Sequence, residues 1–258
     1  MESSCLPKSL SAGDARLYLG IDVQAASRGC PYAVLDGAGE SVEAGWVAGS
    51  ARRVVGTVAE LVERLIDTGG AALAVGIDAP RMRLPSPRQW YWEGPRVRWR
   101  SKRPTDLGNG RHCEVLIAAH GLANPQWTPH RPPFPDWMRL GFALFKTLEK
   151  RATVHEVFPS ASYALLKNSN TLKISVQLNA FAQGPKDMLD AYVAAATVRE
   201  YVQGRGCAVG GGDGLGEIVI PGPLPTPNDA VLQWPGAVTA NGVRRAPKQR
   251  DTAGRTAA

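Results

Sequence analysis

The stretch Leu17-Tyr18-Leu19-Gly20-Ile21-Asp22-Val23 decides how the chain is read. It is an apolar run that ends on a carboxylate and is followed by the turn-forming residues Gln24 to Gly29. Such a run between turn signals predicts a buried strand, and open α/β sheets place their ligands at the carboxyl ends of strands. The pattern returns in Ala72-Leu73-Ala74-Val75-Gly76-Ile77-Asp78, where Ala79-Pro80 follows and the proline stops the ladder. If the two strands are neighbours, Asp22 and Asp78 open onto one edge of the sheet. Like charges that close are costly unless a cation lies between them, so the pair suggests a divalent-metal site. The plainer reading is that each Asp starts a turn or caps the next helix.

Between these runs, 31–36 and 41–48 are expected as strands joined at the hairpin signal Asp36-Gly37, and a loop so short requires antiparallel pairing. Val54, Val55, Val58, Leu61, Val62, Leu65 and Ile66 recur at helical spacing, which predicts a helix over 52–67. Further helices are expected over 112–121, 136–148, 160–166, 172–181 and 185–198, with strands over 153–158 and 217–221. The glycine-rich 210–216 lacks the Lys-Ser/Thr of a phosphate loop and is read as a flexible connection. Ser160 and Ser162 have no nucleophile elbow around them. The four histidines fit no ligand spacing, and His155 should face away from Glu156 on the same strand.

The chain has 258 residues, 44% of them hydrophobic, enough for a substantial core. Residues 1–16 read as a loose leader, 17–221 as one domain, and 222–258 as a disordered basic tail. The net charge of +7 favours an anionic partner, nucleic acid before membrane. No run is long enough to span a bilayer, and four scattered cysteines without a CxxC pair suggest reduced thiols in a cytoplasmic protein.

The composition changes over 81–111, where Arg83, Arg88, Arg96, Arg98, Arg100, Lys102 and Arg103 alternate with Trp90, Tyr91, Trp92 and Trp99. Basic groups neutralise phosphates and flat rings stack on bases, so Arg96, Arg98, Trp99 and Arg100 are candidate nucleic-acid contacts. The competing reading is a self-packed insertion whose tryptophans cover the core while its arginines face water.

Asp22, Asp78 and Glu156 on strands, with Asp190 and its neighbour Asp187 on a late helix, form a set of oxygen donors that suits Mg²⁺ or Mn²⁺. The order of elements and acids resembles the ribonuclease H-like fold. Six segments carry a narrower resemblance: Gly20-Ile21-Asp22-Val23, Gly76-Ile77-Asp78-Ala79-Pro80, Arg111-His112-Cys113-Glu114, Glu156-Val157-Phe158-Pro159-Ser160, Asp187 to Ala195, and Ile218-Val219-Ile220-Pro221. Together they look like domain-of-unknown-function family 429, described as predicted nucleases of this fold. The likeness runs from about Leu17 to Pro221.

That resemblance implies an α/β fold with three antiparallel strands followed by parallel ones, flanked by helices. It also implies a two-metal site that hydrolyses phosphodiester bonds of DNA or RNA. Asp22, Asp78 and Asp190 would be metal ligands, Glu156 a fourth and Asp187 an aid. Arg111 and Glu114 match a further motif and either hold a phosphate or form an internal ion pair. The basic aromatic stretch after Pro80 is longer than the family pattern. The alternatives are a non-catalytic nucleic-acid-binding or adaptor protein on the same scaffold, and an actin-like or sugar-kinase-like phosphotransferase. Against the latter stand Gln24 after the strand and the lack of a second phosphate-binding hairpin.

Overall fold

A computed structural model of the chain describes residues 16–69, 72–166, 174–225 and 229–236. Its first half contains β1 (Arg16–Asp22), β2 (Cys30–Leu35), β3 (Ser41–Val47), α1 (Ala51–Gly69), β4 (Ala72–Asp78), β5 (Trp90–Glu93) and β6 (Arg98–Ser101). The second half adds α2 (His112–Ala119), α3 (Asp136–Leu148), β7 (Thr153–Val157), α4 (Pro159–Leu166), α5 (Pro185–Val202), β8 (Cys207–Gly210), β9 (Glu217–Ile220) and α6 (Asp229–Leu232). The main sheet has seven strands in the order β3-β2-β1-β4-β7-β9-β8. The pairs β1/β2, β2/β3 and β8/β9 are antiparallel, and β1/β4, β4/β7 and β7/β9 are parallel. This is the α/β arrangement of the ribonuclease H-like fold, with three antiparallel strands extended by parallel ones and helices on both faces.

Local chemistry explains the start of the sheet. Asp36 Oδ1 accepts the backbone N–H groups of Ala38, Gly39 and Glu40, which folds the loop back within five residues and forces β3 antiparallel to β2. Helix α1 then crosses one face, and β4 lies beside β1 with Gly20 opposite Gly76, Ile21 opposite Ile77 and Asp22 opposite Asp78.

Because side chains alternate along a strand, this register assigns faces. Leu19, Ile21, Val75 and Ile77 pack with α1 and α3 in one core cluster. Tyr18, Ala74 and Val157 face α5. Helix α5 is buried nearly all round, as expected of a helix without a polar face. It can approach closely because the strands beneath it carry glycines. A Cβ on Gly20 would lie 2.1 Å from the Ala191 carbonyl oxygen, and one on Gly76 would lie 2.6 Å from Val198 Cγ2.

Several expectations are revised. Strand β8 was not foreseen, and the glycine-rich stretch read as a flexible connection is the link of the β8/β9 hairpin, closed by Gly211 N–H donating to the Gly216 carbonyl at 3.0 Å. Of the helix expected over 172–181, residues 172 and 173 lie outside the described residues, and the remainder holds only a short 3-10 turn over Leu178–Ala182. Part of the segment read as a disordered tail forms α6, while 237–258 lies outside the described residues. Cys30 and Cys113 are free and buried, and Cys5 lies outside the described residues. No helix among the described residues is long and apolar enough to cross a membrane.

Candidate active site

The carboxyl ends of β1, β4 and β7 open into a cleft of about 330 Å³ lined by Asp22, Asp78, Arg111, Glu114, Glu156 and Asp190 among others. Asp22 and Asp78 are direct neighbours across the parallel pair and point to the α5 side, where Asp190 descends from the first turns of that helix. Asp22 is buried, and Gln24 Nε2 donates to its Oδ2 at 2.8 Å. Burial pushes the Asp22 carboxyl up to about 7, and the charges of Asp190 and Asp187 add to that rise. Asp78 is raised well above the usual carboxylate range by burial first, then by Asp22 and Asp190. Asp22 and Asp78 thus stand where both cannot ionise at low cost without a cation nearby.

One cation is already present. Lys186 Nζ donates to Asp190 Oδ2, and Tyr163 Oη donates to Asp190 Oδ1 at 2.6 Å. Burial, followed by this bond to a carboxylate, raises the Tyr163 pKa, and the Lys186 charge partly relieves Asp22 and Asp78. Asp187 stands at the rim, its Oδ2 3.8 Å from Arg28 Nη2. Sequence reasoning missed Lys186, although its spacing of four from Asp190 is the pairing distance on a helix. Nothing in the sequence singled out Tyr163.

Glu156 lies in the same cleft but on the other face of the sheet. It is opposite Ile77, one residue out of step with Asp78, so its side chain leaves the α5 side. There it accepts Arg111 Nη1 at 2.7 Å and the backbone N–H of Arg81 at 2.8 Å, and also takes Arg111 Nη2. His155, on the α5 side, meets the ring of Tyr201 at 5.1 Å. Glu156 is therefore not brought together with Asp22, Asp78 and Asp190 as a fourth ligand; it is the partner of an arginine.

That arginine is only 1% exposed. Arg111 Nε donates to Glu114 Oε1 at 2.9 Å, and Thr128 N–H donates to Glu114 Oε2 at 3.0 Å. Burial works against the Arg111 charge, but Glu156 and Glu114 hold its pKa well above the ordinary arginine value. One guanidinium shared by two buried carboxylates is an internal ion pair that joins the start of α2 to the end of β7. It also forms a wall of the cleft.

The oxygen-only set Asp22, Asp78 and Asp190 suits a hard divalent ion in chemistry. As they stand, no three His, Cys, Asp or Glu side chains among the described residues are arranged to hold a metal ion.

The basic aromatic insertion folds as a two-stranded hairpin, β5 against β6. Its tryptophans turn inward. The Trp99 ring lies 5.5 Å from Trp92 and 5.1 Å from Trp234, and its indole N–H donates to the Ala230 carbonyl at 2.9 Å. Arg100 forms a two-pronged pair with Asp106 at 2.6 and 2.9 Å. Arg96 and Arg98 are exposed, within 3.6 and 3.1 Å of Glu93. In this arrangement Trp99 and Arg100 serve the hairpin itself, and the outward charge comes from Arg96, Arg98 and Arg103. Neither a protein-family model nor a curated protein sequence matches the chain.

Proposed function

We propose that this protein is a divalent-metal-dependent phosphodiesterase acting on DNA or RNA. The observation that carries the reading is the in-register pair Asp22 and Asp78 at the ends of neighbouring parallel strands, opposed by Asp190 from α5, with burial and then the neighbouring carboxylates raising the proton affinity of the strand carboxyls. Asp22, Asp78 and Asp190 would hold Mg²⁺ or Mn²⁺, with Asp187 at the rim. Such ions, when bound, supply charge stabilisation to a phosphoryl group and lower the proton affinity of an attacking water.

The chain's own residues prepare the site for this. Gln24 fixes one oxygen of Asp22. Lys186 satisfies Asp190, and because its side chain is 66% exposed the ammonium can exchange that carboxylate for water at small cost. Arg111, Glu114 and Glu156 hold the opposite wall rigid.

The same Lys186 contact favours a second reading, a nucleic-acid-binding protein whose acids are neutralised internally and which does no chemistry. Degradation of labelled DNA and RNA with Mg²⁺ or Mn²⁺, beside an Asp22→Asn control and a calorimetric metal titration, separates the two. Metal binding with cleavage that the substitution abolishes is expected. The absence of both binding heat and cleavage, with every nucleic acid tried, would overturn the enzymatic reading.

A further inference from the structure

The tip of the β5/β6 hairpin is Gly94-Pro95-Arg96-Val97, closed by Val97 N–H donating to the Gly94 carbonyl at 3.0 Å. Val97 has φ 49° and ψ 47°, the left-handed conformation, and among the described residues it is the one non-glycine with positive φ. A β-branched residue is the least suited to that region, and glycine would take it without steric penalty. The strained side chain is not compensated by burial, since it is 54% exposed. A costly conformation that points an apolar group into water calls for a use outside the hairpin.

The neighbours indicate what that use is. Arg96 and Arg98 flank Val97, and Arg103 joins them at the same carboxylate, Glu93. Each has one nitrogen within 3.6 Å of Glu93, which holds the three guanidiniums near the tip while most of their donors remain unused within the described residues. Counting Arg100, four arginines stand against Glu93 and Asp106. The base of the hairpin is held firmly: the Trp92, Trp99 and Trp234 rings lock it to α6, and Arg88 lies between the Tyr91 and Trp127 rings at 4.2 and 5.0 Å. Trp127 comes directly after Asn124, Pro125 and Gln126, which line the acidic cleft.

We propose that the hairpin tip is a wedge for duplex nucleic acid: Val97 enters between two base pairs while Arg96 and Arg98 take the phosphates on either side. An apolar side chain inserted at a base step, supported by cations on the backbone, is an established way to unstack a duplex. The inference rests on the nucleic-acid reading above and deepens it, since it makes duplex or duplex-junction substrates the preferred class.

The test uses the full chain in EDTA, so that no cleavage occurs, and duplexes carrying 2-aminopurine at successive positions up to a single-strand junction. Wild type should bind and raise the fluorescence by about threefold or more at one or two adjacent steps, as unstacking does. Val97→Gly should melt no lower than wild type, keep affinity within about twofold because the phosphate contacts remain, and lose the fluorescence rise. Val97→Leu should restore it. An undiminished rise in Val97→Gly overturns the proposal. So does duplex binding by wild type without any rise, or binding to anionic vesicles with none to duplex. Mg²⁺-dependent cleavage of a single-stranded oligonucleotide, measured in parallel, reports on the nuclease reading separately: cleavage without unstacking sinks only the wedge, and unstacking without cleavage sinks only the nuclease.

Discussion

Replacing Asp22 by Asn removes a charge that the metal-free fold carries at a cost. Burial moves the carboxyl from 3.8 to about 7. At about 1.4 kcal/mol per tenfold change in proton affinity, the ionised group destabilises the fold by up to about 4 kcal/mol. The folded protein binds this proton more tightly than the unfolded chain, so the stabilisation is full below the unfolded value of 3.8 and is lost as pH rises through about 7. Between about pH 5 and about pH 8 the Asp22 contribution should fall by about 3 kcal/mol. In a domain of this size, that corresponds to a Tm drop of about 5 to 10 °C. Asn keeps an acceptor for Gln24 and cannot ionise, so the Asp22→Asn variant should lose much less over this range and melt higher than wild type at about pH 8 in EDTA. Mg²⁺ should recover part of the wild-type loss and none of the variant's. Circular-dichroism melts of both proteins at the two pH values provide the measurement. Equal drops for wild type and variant would refute the assignment of Asp22 to a buried site shared with other carboxylates.

Arg111→Met should destabilise the fold by about 3 to 5 kcal/mol in urea unfolding, because Glu114 and Glu156 would be left buried without their cation; unchanged stability would show that the pair contributes nothing. Gly20→Ala should destabilise by about 1 to 3 kcal/mol or more, since its Cβ would stand 2.3 Å from the Ala191–Ala195 turn at Ala195 N, and it should weaken metal affinity beyond what the melt accounts for by pushing Asp190 outward. Trp99→Ala should cost about 2 to 4 kcal/mol of stability through lost ring contacts and one hydrogen bond. A variant that melts normally yet binds single strands about 1 to 3 kcal/mol more weakly would show instead that a base stacks on the ring.

The sheet was legible where local chemistry and pattern agreed. Two Gly-Ile-Asp strands, an Asp-Gly turn and a well-marked helix fixed β1 to β4 in order and in direction. Strand β8 was not legible because Cys207-Ala208-Val209-Gly210 is four residues long, too short for alternation to show, and it is ordered by pairing with β9. The insertion read as a choice between nucleic-acid contacts and self-packing. Its hairpin combines the two, with tryptophans inward and three arginines outward, and the Trp234 that completes the ring cluster lies over a hundred residues later in the chain. Glu156 shows the limit most clearly. From sequence, all acids near strand ends look equivalent, but a parallel neighbour shifted by one residue sends the side chain to the other face. Register depends on how β4 and β7 pack, and no local pattern announced it.

The Gly-Ile-Asp motif encodes more than a strand ending in a charge. Positions two apart share a face, so Gly20 lies beneath Asp22 and Gly76 beneath Asp78 on the α5 side. The missing side chains let the α5 backbone settle against the sheet at Ala191 and Ala194. Asp190 immediately precedes Ala191, so the close approach that the glycines permit is also what carries its carboxylate to the two on the strands. A larger residue at position 20 or 76 would leave every acid in the sequence and separate them in space. The same tripeptide that fixes the packing of the closing helix therefore fixes the geometry of the acidic cleft. For this reason stability and metal affinity should fall together in Gly20→Ala, but separate in Asp22→Asn, where affinity is lost while stability at neutral pH is gained.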